Sequence, residues 1–274
     1  MDPITAQKII IKSKKIGGWF SSEAAMLIAM IDEVQKDMNL DGDIFEIGVH
    51  HGKSSIFFSH LLRDQEFISI CDLFGTYGNV SNSGDGNYDV FFNNMKKYAL
   101  KQAKDIHVCL SSTLTPEVIG KNYRIFHIDG GHNSDEALND LILATKVVNE
   151  KGIIILDDPF RAEWPGVTEA LIKFLQMDYE YDSVVVGFNK LVLSKKSVSE
   201  KYKQFINNNE NIKSYGLSLP WGLKELPFLN GTISIFFIPT RFLGTKRIKI
   251  FISKILQTYP WLRLIVNIFR RANQ

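Results

Sequence analysis

Residues 182–193 read DSVVVGFNKLVL: an apolar run, Asp182–Gly187, and a second, Leu191–Leu193, with only Phe188-Asn189-Lys190 between them. Strands joined by so short a connection pair only as an antiparallel hairpin, because a parallel crossover needs a dozen or more residues. Upstream the habit is the opposite. Apolar strand candidates Ile44–Ile47, Phe67–Cys71, Ile106–Leu110, Ile125–Ile128 and Ile153–Leu156 alternate with helical patterns at about 53–63, 88–101, 135–149 and 166–176. Such alternation builds a parallel sheet with helices on both faces, joined by right-handed crossovers. The expected fold is α/β: a doubly wound, mostly parallel sheet of seven strands with an antiparallel edge strand.

This domain spans 41–196, with additions on either side. Residues 1–40 read as a helical extension: Ser21-Ser22-Glu23 caps a helix whose apolar positions Met26, Leu27, Met30 and Ile31 recur at helical spacing. In the C-terminal extension, 197–274, Ser197–Asn211 reads as a polar helix and Thr232–Ile238 as a strand. Lys246–Arg271 alternates basic residues with Ile, Leu, Phe and Trp and breaks at Pro260. It reads as amphipathic helices that pack on the domain or make a homo-oligomer interface; weak membrane-surface association is the other use of such a stretch.

Bulk properties narrow the class. Hydrophobic residues at 45% and charged ones at 23% belong to an ordinary globular chain, and a net charge of +2 gives no reason to expect a nucleic-acid partner. Cys71 and Cys109 both lie in apolar runs and read as reduced core residues, which suits a cytoplasmic protein. The start lacks the apolar core of a secretory signal, and no apolar run reaches the roughly 18 residues of a membrane-spanning helix.

Acidic residues mark the strand ends. Asp129 lies in HIDGGH and Asp157-Asp158 in IILDDP. Carboxylates at the carboxyl ends of neighbouring parallel strands converge on the ligand crevice of an open sheet. Three together repel unless a cation or protons hold them, and His132 is close by. A divalent-metal site with a histidine ready to move a proton follows; helix capping and loop hydrogen bonds are the other use of such aspartates. Across the crevice, DIFEIGVHHGKS (43–54) is a strand, a turn with Gly48 and Gly52, and a helix. Its G-x-x-x-G spacing is not the dinucleotide fingerprint. Glu46 sits beside this loop, Asp72 follows the second strand as a ribose contact or a helix cap, and Ser111-Ser112 follows the third as an adenine contact or a turn.

With loop, acid and hairpin together, residues 41–195 resemble the class I S-adenosylmethionine-dependent methyltransferases, in which an antiparallel last strand is the mark of the fold. The motifs look closest to the metal-dependent macrocin- and mycinamicin-type sugar O-methyltransferases. This resemblance implies S-adenosylmethionine held by Glu46, Gly48, Gly52, Ser54, Asp72, Ser111 and Asp129. It implies Mg2+ on Asp129, Asp157 and Asp158, catalysis by His132 as base together with Asp129, and a sugar or glycosylated small molecule as acceptor. Asp157 departs from the family, where glutamate is frequent at that place. Trp164-Pro165-Gly166-Val167 looks like the family's helix start after the acid pair. Arg161 and Trp164 are candidates for touching the acceptor, and His50 and His51 for bordering the cofactor. Two other readings share this skeleton: a nicotinamide-dependent oxidoreductase, against which the glycine spacing and hairpin count, and a binding protein that keeps the fold without catalysis.

Overall fold

A computed structural model describes residues 1–76, 86–177 and 179–239. The chain opens with helices α1 (Pro3–Ser13) and α2 (Ser22–Asp37). It then alternates β1 (Asp43–Ile47), α3 (Lys53–Ser59), β2 (Ile68–Cys71), α4 (Tyr88–Tyr98), β3 (Ile106–His107), the short α5 (Pro116–Ile119), β4 (Tyr123–Ile128), α6 (Ser134–Val147), β5 (Val148–Asp157) and α7 (Pro165–Gln176). After these come the hairpin strands β6 (Tyr181–Gly187) and β7 (Lys190–Lys195), helices α8 (Lys196–Ile206) and α9 (Asn209–Ser214), and strands β8 (Gly222–Phe228) and β9 (Gly231–Phe237). Local chemistry starts the helices where side chains can satisfy their free N–H groups. Asp2 accepts from Thr5 N at 2.9 Å ahead of α1, Ser21 from Ala24 N at 3.0 Å ahead of α2, and Asn133 from Glu136 N at 2.9 Å ahead of α6.

The strands run in the order β3-β2-β1-β4-β5-β7-β6-β9-β8. β1 to β5 pair in parallel, while β7 runs antiparallel to both β5 and β6. Two expectations need correction. The sheet has nine strands, not seven, and the antiparallel strand β7 is interior rather than at the edge. The reason is that β6 still presents an open backbone edge; β9 pairs with it in parallel at Val185↔Ser234 and Val186↔Ile235, satisfying groups that would otherwise be exposed. β3 is also shorter than the five residues expected. The basic stretch Lys246–Arg271 lies outside the described residues.

By contacts, Met1–Ser218 and Leu223–Phe236 form one unit, which leaves out Leu219–Gly222 and 237–239. Helices α1, α2 and α8 thus belong with the sheet. α2 is buried along almost its whole circumference, from Ala24 to Ile31, so it is a core helix rather than an amphipathic surface one.

Beneath the sheet, fully buried Arg124 on β4 gathers the elements around it. Its Nε donates to Glu66 at 2.9 Å; Nη1 donates to Asp32 at 2.9 Å and Gln35 at 2.6 Å; Nη2 donates to the Leu61 carbonyl at 2.8 Å and to Glu66 at 3.0 Å. All of the guanidinium's N–H donors are used, the condition for burying such a charge. Arg124→Leu strips Asp32 and Glu66 of this partner and is expected to lower the unfolding free energy by about 3–5 kcal/mol in urea denaturation. A loss below about 1 kcal/mol would mean that the network does not hold α2 to the sheet.

Candidate functional site

Strand register creates the site. Ile47 pairs with Cys71 on one side and Ile128 on the other, and Ile128 pairs with Leu156. The next residue on each strand, Gly48, Asp72, Asp129 and Asp157, therefore leaves the sheet along one edge, where open α/β sheets bind ligands. A cavity of about 580 Å³ opens there, within the range of small-molecule sites. Gly48, His50, Ser54, Asp72, Ser111, Asp129, His132, Asp157, Asp158, Arg161 and Trp164 all line it.

The glycine turn is shaped by close approach. Gly48 has φ +78°, and a Cβ there would lie 1.8 Å from the Asp129 carbonyl oxygen. Asp72 locks the turn from the other side, its Oδ2 accepting from Val49 N at 2.6 Å and His50 N at 2.8 Å, its Oδ1 from Phe74 N at 2.7 Å. Oδ2 is thereby filled, while Oδ1 keeps capacity for a ligand hydroxyl. Glu46, expected beside the cofactor, is instead fully buried: Ser55 Oγ donates to it and His127 Nδ1 lies 2.9 Å away. Strand alternation turns Glu46 inward, so it braces the end of β1. Gly52 and His51 also stay off the cavity wall; Gly52 (φ +84°) starts α3 against Phe91, and the His51 ring lies tilted by 36° against His50 with centres 3.8 Å apart.

At the other end lie the acids. Plain strand alternation would send Asp157 and Asp158 to opposite faces, but Asp158 has φ +57°, and this left-handed turn delivers both to the cavity. His132 Nε2 lies 3.1 Å from Asp158 Oδ2, and the imidazole stacks on Trp164 with ring centres 4.1 Å apart. Arg161 Nη1 donates to Asp158 Oδ1 at 3.1 Å, and Asn189 Nδ2 donates to Asp157 Oδ1 at 3.0 Å and to Asp158 Oδ1. Burial alone would raise the Asp158 pKa, but hydrogen bonds from His132, Asn189 and Arg161 outweigh it and hold the carboxyl at about 2. Asp129 goes the other way. Burial and then the Asp157 carboxylate push it well above the usual range, with Lys190 opposing. Potential ligand atoms lie within 4.8 Å of one another in two groups that share Asp129: an inner group with His127 and Asp157, and an outer one with His132 and Asp158.

Sequence reasoning missed two parts of the site. Gly17-Gly18-Trp19-Phe20, the link between α1 and α2, forms one wall; the paired glycines and aromatics before the Ser21 cap were the available signal. Lys190 is the other. Its side chain is 2% exposed, its Nζ forms an ion pair with Asp157, and it stands directly across the strand pair from that residue. Burial works against its charge, but Asp157 and Asp129 outweigh burial and raise the Lys190 pKa.

Residues 45–159 match the family described as a methyltransferase domain. That match covers under half of the chain. No curated protein matches it. Among solved structures, the O-methyltransferase NovP is similar over 62% of this chain and 78% of its own, at 17% identity and a TM-score of 0.50. That likeness establishes the fold. CalS11, a TDP-rhamnose 3'-O-methyltransferase, is similar over 70% of this chain and 93% of its own, with 15% identity and a TM-score of 0.47. An O-methyltransferase from Bacillus cereus in complex with SAH is similar over 69% and 89%, with 12% identity and a TM-score of 0.47.

Two outcomes are expected of this domain. Gly48→Ala should destabilise it by more than the roughly 1–2 kcal/mol that left-handed backbone costs alone, because the methyl also strikes the Asp129 carbonyl; urea unfolding measures this. Behind Gly130, Asp140 is buried on α6, and burial raises its pKa from 3.8 to about 7, opposed by Ser111. The folded pKa is the higher one, so its contribution is fully present below about pH 4 and is lost as pH rises through about 7. Asp140→Asn should flatten that fall, worth roughly 4 kcal/mol at most. A melting temperature that tracks wild type at every pH from 4 to 8 would show that Asp140 is not its source.

Proposed function

We propose that this domain transfers the methyl group of S-adenosylmethionine to a hydroxyl oxygen of a small acceptor, a sugar or sugar-bearing molecule, with assistance from a divalent cation such as Mg2+. One observation carries the reading: a single cavity brings the Gly48 turn, Asp72 and Ser111 together with the Asp129–His132–Asp157–Asp158 cluster. The first set suits a nucleoside cofactor, with Asp72 free to accept from ribose hydroxyls and Gly48 admitting the ligand close to the backbone. The second suits a hard cation, since its donors are carboxylate oxygens with one imidazole. Asp129, Asp157 and Asp158 are the residues the family resemblance assigns to that ion, which when bound favours the deprotonated form of an acceptor hydroxyl. The sugar class of acceptor likewise rests on that resemblance.

The chain's own part is alignment and proton removal. Holding oxygen and methyl carbon in line makes the step effectively unimolecular, worth up to roughly 7–11 kcal/mol. Trp164 stacks against His132 and Asp158 bonds its Nε2, so the ring is held from two sides. In the tautomer that donates Nε2–H to Asp158, Nδ1 keeps a lone pair to take the acceptor's hydroxyl proton. Arg161 and Trp164 line the cavity beside Asp158 and His132, and Trp19 and Phe20 line it from the α1–α2 link.

Calorimetry should detect S-adenosylmethionine binding to the wild-type protein and a loss of at least about tenfold in Asp72→Ala. His132→Gln should keep cofactor affinity while turnover drops by roughly 10²–10⁴, the usual contribution of a positioned base. Full turnover in that variant removes His132 from the role. Chelator should abolish methyl transfer, as should Asp158→Ala; undiminished activity in excess chelator removes the cation.

A further inference from the structure

Three carboxylates in one crevice repel one another unless a cation or protons hold them together. The structure supplies positive charge from the chain itself. β7 runs opposite to β5, so its first residue, Lys190, stands beside Asp157 at the carboxyl edge of the sheet. The ammonium is almost wholly buried on Asp157 Oδ2, and Phe20 covers it with its ring centre 5.7 Å away. The other oxygen, Asp157 Oδ1, already accepts from Asn189 Nδ2 at 3.0 Å and Asp158 N at 2.9 Å. Asp157 therefore has a donor on each oxygen and a unit counter-charge in contact. Arg161, by contrast, is 42% exposed where it meets Asp158, on the solvent side of the cluster.

We infer that Lys190 is a resident counter-ion that withholds Asp157 from any divalent cation, leaving the cation to Asp129 and Asp158. The inference deepens the cation-assisted reading above and rests on it. An ammonium and a divalent ion sharing one carboxylate repel each other strongly in a site this poorly hydrated, so the two do not occupy the inner group together. A buried charge without its partner is costly, which makes Lys190 reluctant to leave. The Asp157-Asp158 pair then divides its work: the first holds the lysine and the second faces the ligand.

The test is calorimetric titration of Mg2+ and Mn2+ into the full chain. Lys190→Met frees Asp157 and should tighten the cation by at least about tenfold. The double variant Asp157→Asn with Lys190→Met removes one charge of each sign and should stay within about threefold of wild type. It also leaves no buried charge stranded, so it decides the matter should Lys190→Met fail to fold. Unchanged or weaker affinity in Lys190→Met overturns the inference, as does a tenfold loss in the double variant, which would show Asp157 to be a ligand all along. Cation binding by Lys190→Met but not by wild type overturns the inference, because no cation then reaches the outer group. Binding by neither protein overturns the inference itself.

Discussion

One register holds this molecule's chemistry together. Ile47, Cys71, Ile128 and Leu156 lie in a row across four parallel strands, so each strand releases its next residue at the same edge. Shifting any strand by one position would turn its terminal residue to the other face, because side chains alternate along a strand. The reversal at β7 completes the row from the opposite direction, setting Lys190 against Asp157. Cofactor turn, acids and buried lysine are all consequences of where strands stop.

The electrostatics are organised from within. Asp157 is answered by Lys190 and Asp158 by Arg161, while burial and Asp157 drive the Asp129 pKa up. Asp129 is therefore the carboxyl with most to gain from a cation or proton. A carboxyl whose pKa is raised in this way is common where a protein does chemistry.

Rigidity comes from below the sheet. Arg124, with every donor used, ties α2 to β4 and to the Glu66 loop, and the α1–α2 link in turn supplies Gly17–Phe20 to the cavity. A site built on strands held in this way keeps its geometry better than one built on loops alone.

The alternation of apolar strands with helical patterns, and the three-residue link at 188–190, were enough to determine a mostly parallel α/β sheet with one reversed strand. Local propensity and connection length act within a few residues, so they are readable in one dimension. Residue type and position at strand ends were equally legible for Asp72, Asp129, Asp157, Asp158 and His132, which the structure gathers round one cavity. What remained hidden depended on neighbours far apart in the chain. The outward course of β6 that let β9 join, the inward turn of Glu46, the approach of Gly17–Phe20 and the pairing of Lys190 with Asp157 are matters of register and packing. Only the folded sheet decides these, because contact energy depends on distance in space, and sequence separation carries little information about that distance.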